Sequence, residues 1–110
     1  MYIIKIMTEF LHSPIWYCDE KGIEFYNEQK CYKDFYNDVV LNETSKKLED
    51  LYTSFYHFDR EEPCFFDEKT EKDNKEYILS LLKIIKDRLN TLNNGKFIIQ
   101  DYCSEYYSKL

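Results

Sequence analysis

The sequence predicts a small α+β domain in which a short sheet packs against a layer of helices. Two observations carry this prediction. Apolar, β-branched segments lie near both ends of the chain, and a long segment between them carries apolar residues at the spacing of an amphipathic helix. A chain of 110 residues is a common size for one hydrophobic core, so we expect a single domain over residues 1–110.

Four segments are expected to form a sheet of three or four strands. Residues 2–7 and 97–102 are apolar at most positions, which favours strands inside a sheet with helices packed on one face. Residues 15–18 and 23–26 flank a polar stretch that ends at Gly22. Because glycine readily adopts the positive φ that tight turns need, this pattern predicts a hairpin.

Three helices are expected between the hairpin and the last strand. Residues 28–41 place aromatic and aliphatic side chains at helical intervals, and residues 44–58 repeat that spacing more regularly. The third helix, at 67–93, begins with Asp67 as an N-cap and ends at an Asn-Asn-Gly stop. The last residues, 103–110, are expected to form a frayed polar tail.

The charge of the chain argues against nucleic acid as a partner. The formal net charge is −6, and residues 59–76 hold eight acids against four bases, whereas residues 77–110 hold five bases and three acids. A negative surface gains nothing from neutralising phosphates, but it can steer a basic protein partner. A solvated surface that serves only solubility explains the same charges equally well.

No targeting or membrane segment is expected. The first twelve residues lack the basic and small-residue regions of a signal peptide, and no stretch approaches the ~18 apolar residues of a membrane helix. These features predict a soluble protein of the cytoplasm with no membrane partner.

The residues that usually carry chemistry are scattered. The four cysteines lie far apart with no C-x-x-C pair, and neither histidine has the short spacing of a zinc ligand pair. We therefore expect free thiols, no metal and no cofactor. There is also no G-x-S-x-G and no glycine-rich phosphate loop, so we expect no catalytic residues and no enzyme.

A motif near the N-terminus resembles a known group of families. The first strand is followed by Ser13-Pro14-Ile15-Trp16, then by Asp19 and by Gly22-Ile23. This pattern resembles the start of small bacterial immunity-protein families that are encoded beside polymorphic toxins. The specific part of the resemblance covers residues 3–25, and the acidic helices and closing strand agree only in layout.

The resemblance implies an immunity protein of the contact-dependent growth inhibition type. Such a protein binds a cognate toxin domain, often a basic nuclease, in the cytoplasm of the producer and neutralises it as a stoichiometric inhibitor. An acidic surface would complement a cationic nuclease cleft. The alternative is a non-catalytic adaptor or homo-oligomeric interaction protein that has no toxin partner.

Charge and aromatic content suggest which residues contact the partner. Trp16, the only tryptophan, either fills the core beneath the hairpin or anchors an interface, where tryptophan and tyrosine often dominate the binding energy. Acids in exposed turns and loops would contact lysine or arginine of the partner. The candidate interface residues are Trp16, Tyr17, Asp19 and Glu20 in the hairpin and Tyr56, Asp59, Glu61 and Glu62 around the charged loop.

Overall fold

The computed structural model describes residues 1–58 and 63–110. Within these ranges the chain forms five strands and five α-helices, which confirms the α+β class. The strands are β1 (Tyr2–Ile6), β2 (Ile15–Cys18), β3 (Tyr56–His57), β4 (Phe65–Phe66) and β5 (Phe97–Asp101). The helices are α1 (Lys33–Tyr36), α2 (Val39–Ser54), α3 (Glu68–Asp73), α4 (Lys75–Asn93) and α5 (Ser104–Lys109), and a 3-10 turn at Lys30–Tyr32 precedes α1.

β1 is the central strand of a three-stranded sheet. It pairs antiparallel with β2 and parallel with β5. Side chains alternate across a strand, so Ile4 and Ile6 of β1 share the inner face with Ile15 of β2 and with Phe97 and Ile99 of β5. Ile4 and Ile6 are fully buried, and they form one continuous cluster with the apolar side chains of α2 and α4. The helices therefore cover the inner face.

One ion pair joins the start of α2 to the middle of α4. The carboxylate of Asp38 accepts a hydrogen bond from the amide of Leu41 at 2.9 Å and so caps α2. The same carboxylate accepts a fork of hydrogen bonds from Arg88, with Nη2 at 2.6 Å and Nε at 2.9 Å. Asp38 therefore fixes both the first turn of α2 and the position of that turn against α4.

The predicted strand at 23–26 is wrong. This segment makes a single bridge, between Cys18 and Glu24, although the turn before it forms and Gly22 has the expected positive φ of 83°. The Asp19 carboxylate accepts hydrogen bonds from the amides of Lys21 and Ile23. The returning chain makes two backbone hydrogen bonds to β2 and its turn, from Asp19 to Ile23 and from Phe25 to Tyr17, and forms no strand.

The predicted helices at 28–41 and 44–58 have the wrong boundaries. Residues 30–36 form only a 3-10 turn and the short α1, and α2 begins at Val39, five residues before the predicted start. The break occurs because Asp38 is used as an N-cap with Arg88 as its ion-pair partner, a contact between residues 50 positions apart. At its other end α2 stops at Ser54, because Tyr56 and His57 pair with β4 in a short ribbon.

The predicted helix at 67–93 is divided at Asn74. Asp67 caps α3 as expected, and the Asn-Asn-Gly stop after α4 is confirmed, with Asn94 in the left-handed region at φ 50°. The amide of Asn74 donates to the carbonyls of Thr70 and Glu71, and its side chain donates again to the Thr70 carbonyl. The asparagine thus ends α3 and precedes the first turn of α4.

The C-terminal segment differs from the expectation in two respects. β5 is an edge strand and not an interior one, since it lies at one end of the strand order β2-β1-β5. Its residue Ile98 lies on the outer face of the sheet and is 43% exposed. The expected frayed tail is instead α5, in which Tyr107 is buried. The carboxylate of Asp101 accepts hydrogen bonds from the amides of Cys103 and Ser104, and this starts the helix. None of the helices described is long and apolar enough to cross a membrane.

Candidate functional site

A cavity of about 430 Å³ opens at the end of the molecule where α5, α3 and the β3–β4 ribbon meet the loop after β1. Its volume lies within the range of roughly 300–1,000 Å³ typical of ligand pockets. We call it the tyrosine pocket, because its walls are mostly phenol rings around one carboxylate. The residues that define it are Tyr52, Tyr56, Glu71, Tyr102, Tyr106 and Tyr107.

Glu71 forms the polar centre of the tyrosine pocket. Its side chain is only 2% exposed, which is unusual for a glutamate. The hydroxyl of Tyr106 donates to Oε1 at 2.7 Å, and the hydroxyl of Tyr107 donates to Oε2 at 2.9 Å. Each carboxylate oxygen therefore has one phenolic donor, which offsets part of the cost of taking the charge out of water.

The fold holds Glu71 in place through the N-cap of α3. Oδ1 of Asp67 accepts from the amide of Thr70 at 3.0 Å, and Oδ2 accepts from Nε2 of His57 at 3.0 Å. The amide of Asp67 also donates to the carbonyl of Phe55 at 2.7 Å. These contacts tie α3 to the end of α2, so that the side chain one turn into α3 points at the tyrosines of α5.

A second wall comes from the end of α2 and the strand that follows it. Tyr52 lies in α2 and Tyr56 in β3, with their hydroxyl oxygens 3.4 Å from each other. The ring of Phe66 on β4 packs against Tyr56 at a centroid distance of 5.0 Å, and Phe10 packs against Tyr56 at 4.8 Å. Edge-to-face and tilted packing of this kind holds the rings in fixed orientations. The wall is therefore preformed.

The hydroxyls of Tyr52, Tyr106 and Tyr107 stay protonated at neutral pH, because the pKa of each is raised. Hydrogen bonding to Glu71, together with burial and the charges of Glu71 and Glu68, raises the pKa of Tyr106 to about 12. Burial and the Glu71 charge raise the pKa of Tyr107, and burial and the hydrogen bond with Tyr56 raise the pKa of Tyr52. The phenols act as neutral donors, and the carboxylate sets the sign of the local potential.

The one thiol at the tyrosine pocket is not an activated nucleophile. Burial raises the pKa of Cys103 to about 11, whereas a reactive cysteine needs a lowered pKa and exposure to its target. Residues 1–58 and 63–110 also bring together no group of three potential metal ligands among His, Cys, Asp and Glu. The arrangement is suited to holding a polar or charged group between aromatic rings.

The chain matches no protein-family model, no curated protein and no solved structure.

The structure places the four hairpin candidates apart from the tyrosine pocket. Trp16 lies half-buried on the outer face of the sheet, where its ring stacks on His12 at 3.8 Å and its Nε1 donates to the carbonyl of Met7 at 3.1 Å. Tyr17 points to the opposite, inner face. Asp19 holds the turn with one oxygen, and Glu20 is exposed beside it. Trp16 and Tyr17 therefore do not share one surface.

The second group of candidates is described only in part. Tyr56 is half-buried and lines the tyrosine pocket. Asp59, Glu61 and Glu62 lie outside the described residues. Of the predicted interface residues that the structure describes, Tyr56 is the one that belongs to the tyrosine pocket.

Sequence reasoning missed Glu71 and the tyrosines of α5. Glu71 lies in the first turn of α3, where an acid is favoured by the helix dipole, and nothing in its sequence neighbours marks it as buried. The tail does hold a signal, because Cys103 and Tyr107 are separated by one helical turn and both are buried. That spacing within a polar segment is typical of a short amphipathic helix.

Proposed function

We propose that the protein works by binding another protein, and that it neutralises a cognate toxin domain as a stoichiometric inhibitor in the cytoplasm of the producing cell. The observation that supports this best is the tyrosine pocket, a preformed recess with aromatic walls and the buried Glu71 carboxylate. Tyrosine-rich recesses that accept an anchoring side chain are typical of protein interfaces. On this proposal the protein performs no catalytic step.

The charge of the chain supports a basic partner. The formal net charge is −6, so a cationic nuclease domain would be attracted over a long range. Glu68 adds to the negative potential of Glu71 at the tyrosine pocket, as the raised pKa of Tyr106 indicates. Attraction of this kind increases the rate of association more than it increases the final affinity.

Co-expression with the protein encoded immediately upstream tests the proposal. We expect that protein to be toxic alone, to be tolerated when both are present, and to co-purify with this chain in a fixed ratio. Tyr102→Ala removes a pocket ring that is 56% exposed, and we expect it to reduce protection. Tyr26→Ala is the matched control, since Tyr26 is fully exposed and lies outside the tyrosine pocket. Absence of both toxicity and complex would contradict the proposal.

The outer face of the sheet favours a second candidate, an adaptor or homo-oligomeric interaction protein. Ile98 on the edge strand β5 is 43% exposed, and Tyr102, which follows β5, is 56% exposed. Edge strands with exposed apolar residues can pair with another chain. A molar mass in solution that doubles with concentration, and returns to one chain in an Ile98→Lys variant, would support this candidate.

A further inference from the structure

We infer that the tyrosine pocket binds the guanidinium group of an arginine side chain, which the partner protein supplies. The source of the arginine rests on the proposed function. The preference of the tyrosine pocket for this cation rests on its own geometry, so the isolated protein can be used to test it.

The carboxylate at the centre of the tyrosine pocket has capacity for a second set of donors. An ionised carboxylate offers about four acceptor positions on its two oxygens. Tyr106 and Tyr107 occupy one position on each oxygen of Glu71, at 2.7 and 2.9 Å. One position therefore remains on each oxygen, and a pair of parallel N–H donors on a planar group matches this arrangement.

The walls of the tyrosine pocket favour a flat, weakly hydrated cation. Tyr52, Tyr56 and Tyr102 line the same cavity as Glu71, and the negative face of an aromatic ring attracts a cation placed over it. Guanidinium combines the planar fork with the ability to stack on rings, whereas the ammonium of lysine is compact and strongly hydrated. The site therefore selects arginine over lysine.

The charges close to the tyrosine pocket favour the same ligand. None of the ion pairs among residues 1–58 and 63–110 uses Glu71. The hydrogen bond to Glu71, burial and the charges of Glu71 and Glu68 together raise the pKa of Tyr106. An arriving cation would therefore gain attraction from the carboxylate in a place where the surrounding rings limit screening by water.

The volume of about 430 Å³ accommodates one long side chain with its charged end at Glu71. Tyr102 and Tyr106 are both about half exposed, at 56% and 51%, so a side chain from a separate molecule can reach the cavity between them. Glu71 lines the cavity but is only 2% exposed, so the arginine would reach it through the space that these two rings border. The geometry thus fits an arginine that projects from the surface of a partner.

Titration of N-acetyl-argininamide into the isotope-labelled full chain, followed by NMR, tests the inference. We expect changes at the amides of α5 and of the loop after β1, with a dissociation constant of order millimolar, as suits one side chain. N-acetyl-lysinamide should bind several-fold more weakly, and the uncharged N-acetyl-norleucinamide should cause no change at the same amides. Equal binding of the three probes, or no change up to about 100 mM argininamide, would overturn the inference.

Variants of the full chain locate the binding. Glu71→Gln keeps the shape of the side chain and removes its charge, and we expect at least a tenfold loss of argininamide affinity. Should that variant fail to fold, Tyr102→Ala keeps Glu71 and should weaken binding several-fold, while Tyr26→Ala should leave it unchanged. If Glu71→Gln folds and binds argininamide as tightly as wild type, the inference is overturned. If Glu71→Gln does not fold, unchanged binding by Tyr102→Ala overturns it.

The result of the argininamide titration can be distinguished from the result of the co-expression test of the proposed function. If argininamide binds at the tyrosine pocket but the upstream-encoded protein forms no complex, the pocket assignment stands and the toxin partner does not. If the complex forms and protects cells but argininamide causes no change at the tyrosine pocket, the inference fails and the proposed function stands.

Discussion

Replacement of Asp38 should destabilise the protein more than replacement of any exposed acid, because one carboxylate performs two tasks. It accepts from the amide of Leu41 as the N-cap of α2, and it receives the fork of Arg88 from α4. Its side chain is 8% exposed, whereas that of Arg88 is 38% exposed. Removal of the carboxylate therefore leaves a buried helix end without an acceptor, while the guanidinium can still reach water.

The expected loss of unfolding free energy follows from these two tasks. An N-cap contributes about 1 kcal/mol. A hydrogen bond to a charged group contributes about 1.5 to 3 kcal/mol, and we take the lower end because water can partly replace the carboxylate at Arg88. For Asp38→Ala we therefore expect a loss of about 2 to 3 kcal/mol. Asp38→Asn keeps one acceptor oxygen for the amide of Leu41, so it should lose about half as much.

Urea unfolding at equilibrium measures both variants, and pH separates the cap from the ion pair. The hydrogen bonds from Arg88 lower the pKa of Asp38, opposed in part by burial. A carboxylate whose pKa is lowered in the folded protein adds its full stability at pH values above the ordinary pKa of about 3.9. That stability is lost as pH falls through the pKa of the folded protein. The difference in free energy of unfolding between wild type and Asp38→Asn should therefore become smaller below about pH 4. An Asp38→Ala variant as stable as wild type at pH 7 would refute this reasoning.

Three further predictions concern other parts of the molecule. Cys31 and Cys64 are the exposed members of the four free cysteines, so two thiols should react with a chromogenic disulfide in the native protein and four after denaturation; four rapid reactions would contradict the fold. Burial lowers the pKa of His12, but hydrogen bonds to the Ser13 carbonyl and to Glu24 outweigh it and raise the pKa. The stability that protonated His12 gains from these two hydrogen bonds should be complete below about pH 6.5 and should be lost as pH rises above that value. The His12→Gln variant should lack this pH dependence. Tyr107→Phe removes a buried donor to Glu71 and should cost about 1 to 3 kcal/mol by urea unfolding, whereas no loss would show that the bond is dispensable.

Features that depend on neighbouring residues could be predicted from the sequence. The apolar segments gave β1, β2 and β5 within a residue or two, and Asp67 caps a helix where its spacing indicated. The turn at Gly22 and the stop at Asn94 both have the positive φ that these residue types favour. Caps, turns and strand patterns are local, because the stabilising contacts lie within a few residues.

Features that depend on distant residues could not be predicted in this way. The break before α2 follows from the contact of Asp38 with Arg88, 50 positions away. Burial of Tyr107 follows from its bond to Glu71, 36 positions away. The edge position of β5 could not be predicted from its residues, since Phe97, Ile98 and Ile99 are as apolar as the residues of the central strand β1. The tyrosine pocket brings together residues of α2, α3, α5 and the loop after β1 that are far apart in the chain, so only Tyr56 among its residues is predicted from the sequence.

The most direct test of the central claim is to map the partner on this protein. The isotope-labelled chain would be compared by NMR in the free state and in complex with the co-purified partner. The account predicts that the largest changes fall on the amides around Tyr56, Glu71 and Tyr102 and on α5. Changes confined to the hairpin around Trp16, with the tyrosine pocket unaltered, would contradict it.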